Sequence, residues 1–199
     1  MKSKILIATH NKGKFKEIAT FFDRTAIEIL SLTDVGIDIE VEERGTTFKE
    51  NAVLKATKYC ELSGLTTLAD DSGLEVEALG RKPGIYSARY AGPLATDEDR
   101  VDLLISKLNK IGDRNFRAEF KCVIAVAESN RALLISEGAC EGLIISKPRG
   151  SNGFGYDPVF LIPELGRTMA ELDRDEKNMF SHRARACRKI VSKLIKRNT

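Results

Sequence analysis

Two long runs rich in β-forming residues, Phe116 to Ala127 and Ala132 to about Ser146, are separated only by the polar stretch Glu128-Ser-Asn-Arg131. The first run alternates apolar and polar side chains, then turns apolar throughout. That pattern predicts a strand half-buried at its start and fully buried at its end. So short a polar connection leaves no room for a crossover, so the pair reads as a long antiparallel hairpin. Any fold for this chain must be built around it.

The rest of the chain mixes helical and strand periods. Ile5 to Ala8 is a short, continuously apolar run of the buried-strand type. From Asn11 the period changes: Phe15, Ile18, Ala19 and Phe22 fall on one face of a helix. A second short strand is predicted over Ile27 to Ser31. Thr47-Phe-Lys-Glu50 has the capping-box pattern, which predicts a helix from there to about Ser63, with Gly64 as its stop. Leu65 to Ala69 then reads as a strand that delivers Asp70 and Asp71 at its C-terminal end. Thr96 opens a helix with Val101, Leu104, Ile105 and Leu108 on one face, and Val159 to Ile162 is another short strand. Ala184, Cys187, Ile190, Val191, Leu194 and Ile195 define a closing amphipathic helix, with Ser181 as its N-cap. The expected class is α/β with a mixed sheet, not a regular repeat of βαβ units.

With 199 residues, 42% of them hydrophobic, the chain can build a sizeable core as one domain spanning 1–199. Cys60, Cys122, Cys140 and Cys187 show no C-x-x-C spacing, and only two histidines occur, which argues against zinc. Scattered among apolar residues, they read as reduced core thiols of a cytoplasmic protein. No apolar run approaches the roughly 20 residues of a membrane span. The net charge of +3 is mild, but no Asp or Glu follows Glu176 while eight Lys or Arg do.

Four stretches carry residues suited to chemistry. Ala8-Thr-His-Asn-Lys-Gly-Lys14 joins a strand to a helix, where backbone N–H groups and lysines suit a phosphate. It is not a Walker A loop, because Phe15 stands where Ser or Thr would hold the metal. Glu42, Glu43, Asp70 and Asp71 are hard oxygen donors, which favour Mg²⁺ or Mn²⁺. Gly150-Ser-Asn-Gly-Phe-Gly-Tyr-Asp-Pro-Val-Phe160 leads into a strand, so it is not a dinucleotide fingerprint. Its glycines would let a flat ring approach Phe154 and Tyr156. Finally, Lys177, His182 and Arg183 cluster near the start of the last helix, with donors for a carbonyl or phosphate. Each stretch alone also has a plain structural reading as a turn or a solvated face.

Taken together and in order, ATHNKGK, EERGTTFKENAVLKA, LADDSGLEVEALGRKPGIYSARYAG, GFGYDPVF and EKNMFSHRARA resemble the non-canonical purine nucleoside triphosphate pyrophosphatases, the inosine triphosphatase family. The resemblance covers essentially the whole chain. It departs from the family at His10-Asn11, where Gly-Asn is common. It implies two lobes flanking a nucleotide cleft, a homodimer, no nucleic-acid or membrane partner, and Mg²⁺-dependent hydrolysis of ITP, dITP or XTP to the monophosphate and pyrophosphate. By position, Thr9, His10, Asn11, Lys12, Gly13 and Lys14 would hold the phosphates, and Glu42 would help bind metal. Asp71 would be general base and metal-associated carboxylate, with Asp70 in support and Ser72 contacting substrate. Phe154, Gly155, Tyr156, Asp157, Lys177, His182 and Arg183 would form the base and ribose side. Two rival readings are a related Maf-like pyrophosphatase and a nucleic-acid binder using the basic last helix, which leaves Asp70 and Asp71 unexplained.

Overall fold

The computed structural model describes residues 3–112, 115–128 and 131–197. Its strands are β1 (Ser3–Ile7), β2 (Ile27–Ser31), β3 (Thr66–Val76), β4 (Lys82–Pro83), β5 (Phe116–Glu128), β6 (Arg131–Ile144), β7 (Phe160–Ile162) and β8 (Arg167–Thr168). Its α-helices are α1 (Lys12–Ala19), α2 (Phe48–Ser63), α3 (Asp97–Asn109), α4 (Arg174–Phe180) and α5 (His182–Arg197). One mixed sheet runs in the order β2-β1-β3-β5-β6-β7-β8, with β4 paired to β3. β1 lies parallel to both β2 and β3. β5 and β6 are neighbours in that sheet, as the expected long hairpin requires; residues 129–130, which link them in the chain, lie outside the described residues.

Local signals account for most element ends. Asn11 caps α1 by accepting from the Lys14 N–H at 2.9 Å. Thr47 caps α2 by accepting from the Glu50 N–H, while the Glu50 carboxylate reaches back one residue further, to the Thr46 N–H at 2.6 Å. Gly64 ends α2 in the left-handed conformation, φ +69°. Thr96 and Asp99 form a reciprocal capping box at α3.

The chain packs as two compact units, each assembled from separate segments. The first contains residues up to Asp71, Cys122–Gly138 and the chain from His182 onward. Here β1 and the first part of β3 have helices on both faces. Ile5, Ile7, Leu68, Cys122 and Ile124 share a core with Ile18 of α1 and Ile190 of α5. Strand alternation turns Leu6 and Ala69 the other way. The second unit contains Ser72–Lys121 and Ala139–Ser181. Its core joins Leu74, Phe116, Phe120 and Phe160 to Leu104 and Leu108 of α3.

Two sequence expectations need correction. β3 does not end at Ala69 with the two aspartates at its tip but continues through Asp70 and Asp71 to Val76. What ends is its parallel partner: β1 pairs with β3 only as far as Leu68, because the chain then turns into α1. On α5, Ala184, Cys187, Ile190, Val191 and Leu194 are buried as the period predicts, whereas Ile195 is exposed. All four cysteines are buried thiols. Burial pushes the Cys122 thiol up to about 12, so its unreactive core role follows from desolvation.

Candidate active site

Asp70 and Asp71 are both buried, at 2% and 4% exposure. Successive side chains of a strand point to opposite faces. Asp70 therefore shares the face of Leu68 and meets α1 and α5, while Asp71 shares the face of Ala69 and meets α2. On the first face, the Asp70 Oδ2 lies 3.2 Å from Lys14 Nζ and accepts from Arg183 Nε at 3.3 Å. Arg183 also donates to Glu17 of α1. Burial alone would raise the Asp70 pKa, but Lys14 and Arg183 hold its carboxyl far below the usual carboxylate range.

On the second face, Asp71 Oδ2 accepts from Asn51 Nδ2 at 3.1 Å, and Asp71 Oδ1 lies 3.4 Å from Lys55 Nζ. Lys55 in turn donates to Glu43 Oε1 at 2.6 Å. Burial raises the Asp71 pKa and Glu43 adds to it; Lys55, Lys14 and Asn51 oppose without overcoming burial. Lys55 is half-buried, and desolvation would lower its pKa, yet Asp71, Asp70 and Glu43 raise it and keep the ammonium charged. The two adjacent carboxylates thus differ in kind. Asp70 is a neutralised anion in an ion-pair network, and Asp71 is a more basic carboxylate beside the Lys55 ammonium.

The Thr9–Lys14 loop lies at the end of β1. Thr9 Oγ1 accepts from the Asn11 N–H at 3.2 Å, which shapes the turn into α1. His10, Asn11 and Lys12 are exposed, whereas Thr9, Gly13 and Lys14 are half-buried. The His10 Nε2 lies 3.1 Å from the Ile39 carbonyl. Glu42 faces outward and takes Arg44 at 2.6 Å, with 71% of its side chain exposed. Glu43, not Glu42, is the acidic-loop residue brought beside Lys55 and Asp71. Both carboxylates flank one cation, Lys55 Nζ, and the donor set is all oxygen. These residues fit Mg²⁺, which takes one or two carboxylates and completes its shell with water and phosphate. No group of three or more His, Cys, Asp or Glu able to hold a metal occurs among the described residues.

In the second unit, Ser72 is half-buried directly after Asp71 on β3. Asp157 gathers the glycine-aromatic loop. Its Oδ2 accepts from the Phe154 N–H at 3.0 Å and from Lys177 Nζ of α4 at 2.5 Å. Lys177 Nζ also stands 4.9 Å from the Phe154 ring centroid. Gly153 has φ +79°, and a Cβ there would meet Asp157 Oδ2 at 2.1 Å, so only glycine closes this loop over the ion pair. The Gly155 N–H donates to Asp97 at 2.7 Å, and the Tyr156 hydroxyl donates to the Ser87 carbonyl at 3.0 Å. Tyr156 and Asp157 are buried, and Phe154 and Gly155 half-buried.

His182 and Arg183 open α5 in the first unit and are buried. Their placement depends on Gly138 of β6: a Cβ there would meet the His182 carbonyl at 2.1 Å and the Ala186 N at 2.6 Å. Asn51, Lys55 and Glu17 were not singled out by motif. The signal that could find Asn51 and Lys55 is their i, i+4 spacing on α2, opposite the buried face of β3.

A model of the Ham1 family matches residues 5–193. A dITP/XTP pyrophosphatase from an Exiguobacterium species is 48% identical over 192 residues, covering 96% of this chain and 97% of that relative. One from Bacillus anthracis is 46% identical over 192 residues, covering 96% and 95%. Among solved structures, a HAM1 protein from Coxiella burnetii superposes with a TM-score of 0.89 at 41% identity, covering 98% of this chain and 99% of that one. The Staphylococcus aureus Ham1 protein gives 0.85 at 40% identity, covering 96% and 98%.

Proposed function

The chain belongs to the Ham1 family, and on that premise we propose that it is a nucleoside triphosphate pyrophosphatase. In this reading it hydrolyses the α–β phosphoanhydride of dITP, ITP and XTP to the monophosphate and pyrophosphate. The observation that carries it is the unlike pair on β3: a basic, desolvated Asp71 beside Lys55, next to a neutralised Asp70.

In-line attack of water on the α-phosphorus needs a base, neutralised phosphate charge and a stabilised leaving group. Asp71 takes the proton from the attacking water. Its raised pKa makes it a stronger base than an exposed aspartate, and Lys55 holds the carboxylate in place. Lys14, the Thr9–Lys14 amides and the N-terminus of α1 receive the phosphates. Asp71 with Glu43, and Glu42 if its loop turns inward, would hold Mg²⁺ or Mn²⁺. That ion would neutralise the triphosphate and polarise its oxygens. Hypoxanthine and xanthine present a 6-oxo acceptor, for which Lys177, His182 and Arg183 are donors. Adenine presents an amino donor at that position, leaving such donors unpaired at about 1–3 kcal/mol each. Phe154, Gly155 and Tyr156 supply the flat surface for the base, and Ser72 a ribose or phosphate contact. A single functional domain over 1–199 and a homodimer belong to the same proposal.

The test is pyrophosphate release by the purified protein from ITP, dITP, XTP, GTP, dTTP and UTP, each with Mg²⁺ and with EDTA. The expected result is metal-dependent turnover of the first three well above the others. Equal turnover of GTP and ITP removes the nucleotide-cleansing role, and a preference for dTTP or UTP favours the Maf-like reading.

A further inference from the structure

Asn51 lies in the middle of the first unit with no exposed surface, an expensive place for a side-chain amide unless both ends are satisfied. They are. Its Oδ1 accepts from the Gly45 backbone N–H at 2.8 Å, and its Nδ2 donates to Asp71 Oδ2 at 3.1 Å. These two bonds dictate the orientation of the amide. A backbone N–H can only donate, and an ionised carboxylate can only accept. A flipped amide would face N–H against N–H at Gly45 and oxygen against oxygen at Asp71.

The seat for this amide is shaped as well as bonded. Gly45 has no side chain because a Cβ would meet Asn51 Oδ1 at 2.6 Å, Glu50 Cβ at 2.7 Å and the Asn51 N at 3.0 Å. Its φ does not lie in the left-handed region, so the requirement is for space. One turn further along α2, on the same helix face, Lys55 repeats the arrangement by bridging Glu43 and Asp71. Two side chains four residues apart thus join the 43–45 loop to one carboxylate.

We propose that Asn51 is a positioning residue for the reaction: held by the Gly45 amide, it engages Asp71 Oδ2 and fixes the carboxylate so that Oδ1, which also lies 3.4 Å from Lys55 Nζ, receives the proton from water. The proposal rests on Asp71 being the base. It assigns Asn51 no contact with substrate. Its effect therefore falls on turnover and not on substrate affinity.

The experiment compares Asn51→Asp, Gly45→Ala and Asp71→Asn with the wild type, measuring kcat and KM for ITP alongside urea unfolding. Asn51→Asp keeps the shape and the acceptor for Gly45 but sets a second carboxyl in place of the amide donor, 3.1 Å from Asp71 Oδ2, where it repels Asp71 or shares a proton with it. Gly45→Ala keeps every polar group and displaces the amide with a methyl. The expected result is a drop in kcat per folded molecule of about 10²-fold for Asn51→Asp, as for a misplaced reacting group. A smaller drop in the same direction is expected for Gly45→Ala, with KM within about threefold of wild type in both. Asn51→Asp with near-normal kcat per folded molecule, or a loss carried by KM, overturns the proposal. Should Asn51→Asp not fold, Gly45→Ala decides by the same criterion. If Asp71→Asn turns over normally, the assignment of the base fails and this inference falls with it. If Asp71→Asn is inactive while Asn51→Asp is normal, only the inference falls.

Discussion

Asp70 and Asp71 are neighbours in the chain but lie on opposite faces of β3, where Asp70 meets Lys14 and Arg183 and Asp71 meets Asn51 and Lys55. Adjacent like charges in a buried strand repel unless each has its own cation. The alternation of the strand supplies that separation, since each carboxylate faces a different helix layer.

The two aspartates are therefore expected to fail differently. Asp71→Asn keeps the fold and loses most turnover, on the order of 10²–10⁴-fold for removal of a general base. Asp70→Asn takes one carboxylate from the buried Arg183, leaving it to lean on Glu17, and weakens the hold on Lys14. Breaking a buried pair costs about 3–5 kcal/mol. Urea unfolding of both variants, with steady-state turnover of ITP, separates the two roles. Equal destabilisation of the two variants contradicts the division.

Their pH dependences have opposite sign. The folded-state pKa of Asp70 is depressed, so its stabilisation is present above the ordinary value near 3.8 and is lost as pH falls through the folded value. The folded-state pKa of Asp71 is raised, so its contribution is fully present below 3.8 and is lost as pH rises through the folded value. Unfolding free energies measured from pH 3.5 to 7.5 should show Asp71→Asn gaining on the wild type as pH rises. The deficit of Asp70→Asn should shrink toward the acid end.

Lys177 and Asp157 form a buried pair, at 8% and 4% side-chain exposure. Lys177→Met leaves an uncompensated carboxylate and should cost about 3–5 kcal/mol. The double variant Lys177→Met/Asp157→Asn should recover much of that stability without recovering affinity for ITP. A thermal melt and KM for ITP on the three variants form the cycle. Recovery of KM together with stability would mean that Lys177 serves only the loop.

Gly138→Ala tests the seat of α5. The added methyl meets the His182 carbonyl and the Ala186 N, both backbone atoms that cannot step aside alone. Overpacking of this kind costs about 1–3 kcal/mol. Because His182 and Arg183 open the displaced helix, the ratio of ITP to ATP turnover should fall with stability. An unchanged ratio would separate α5 placement from base selection.

Local chemistry made much of this legible in advance. The Thr47 cap and the Gly64 stop delimit α2 through bonds made within a turn of the chain. The two long apolar runs and the short link between them predict the hairpin. The motifs along the chain, read together, point to the family. The same local reading stops β3 at Ala69, because adjacent charges after an apolar run look like a strand end.

Which partner each charge meets could only be decided by the tertiary structure. Arg183 reaches Asp70 across 113 positions and Glu17 across 166, distances over which no periodicity carries information. Glu42 and Glu43 look alike in sequence, yet one lies beside Arg44 in solvent and the other against Lys55. Asn51 reads as an ordinary helix residue until Gly45 and Asp71 are placed on either side of it. Caps and periods depend on hydrogen bonds and burial within a few residues, so the amino-acid sequence alone determines them. The pairing of buried charges depends on which strands and helices become neighbours, and that is settled only when β1, β3, α2 and α5 pack together.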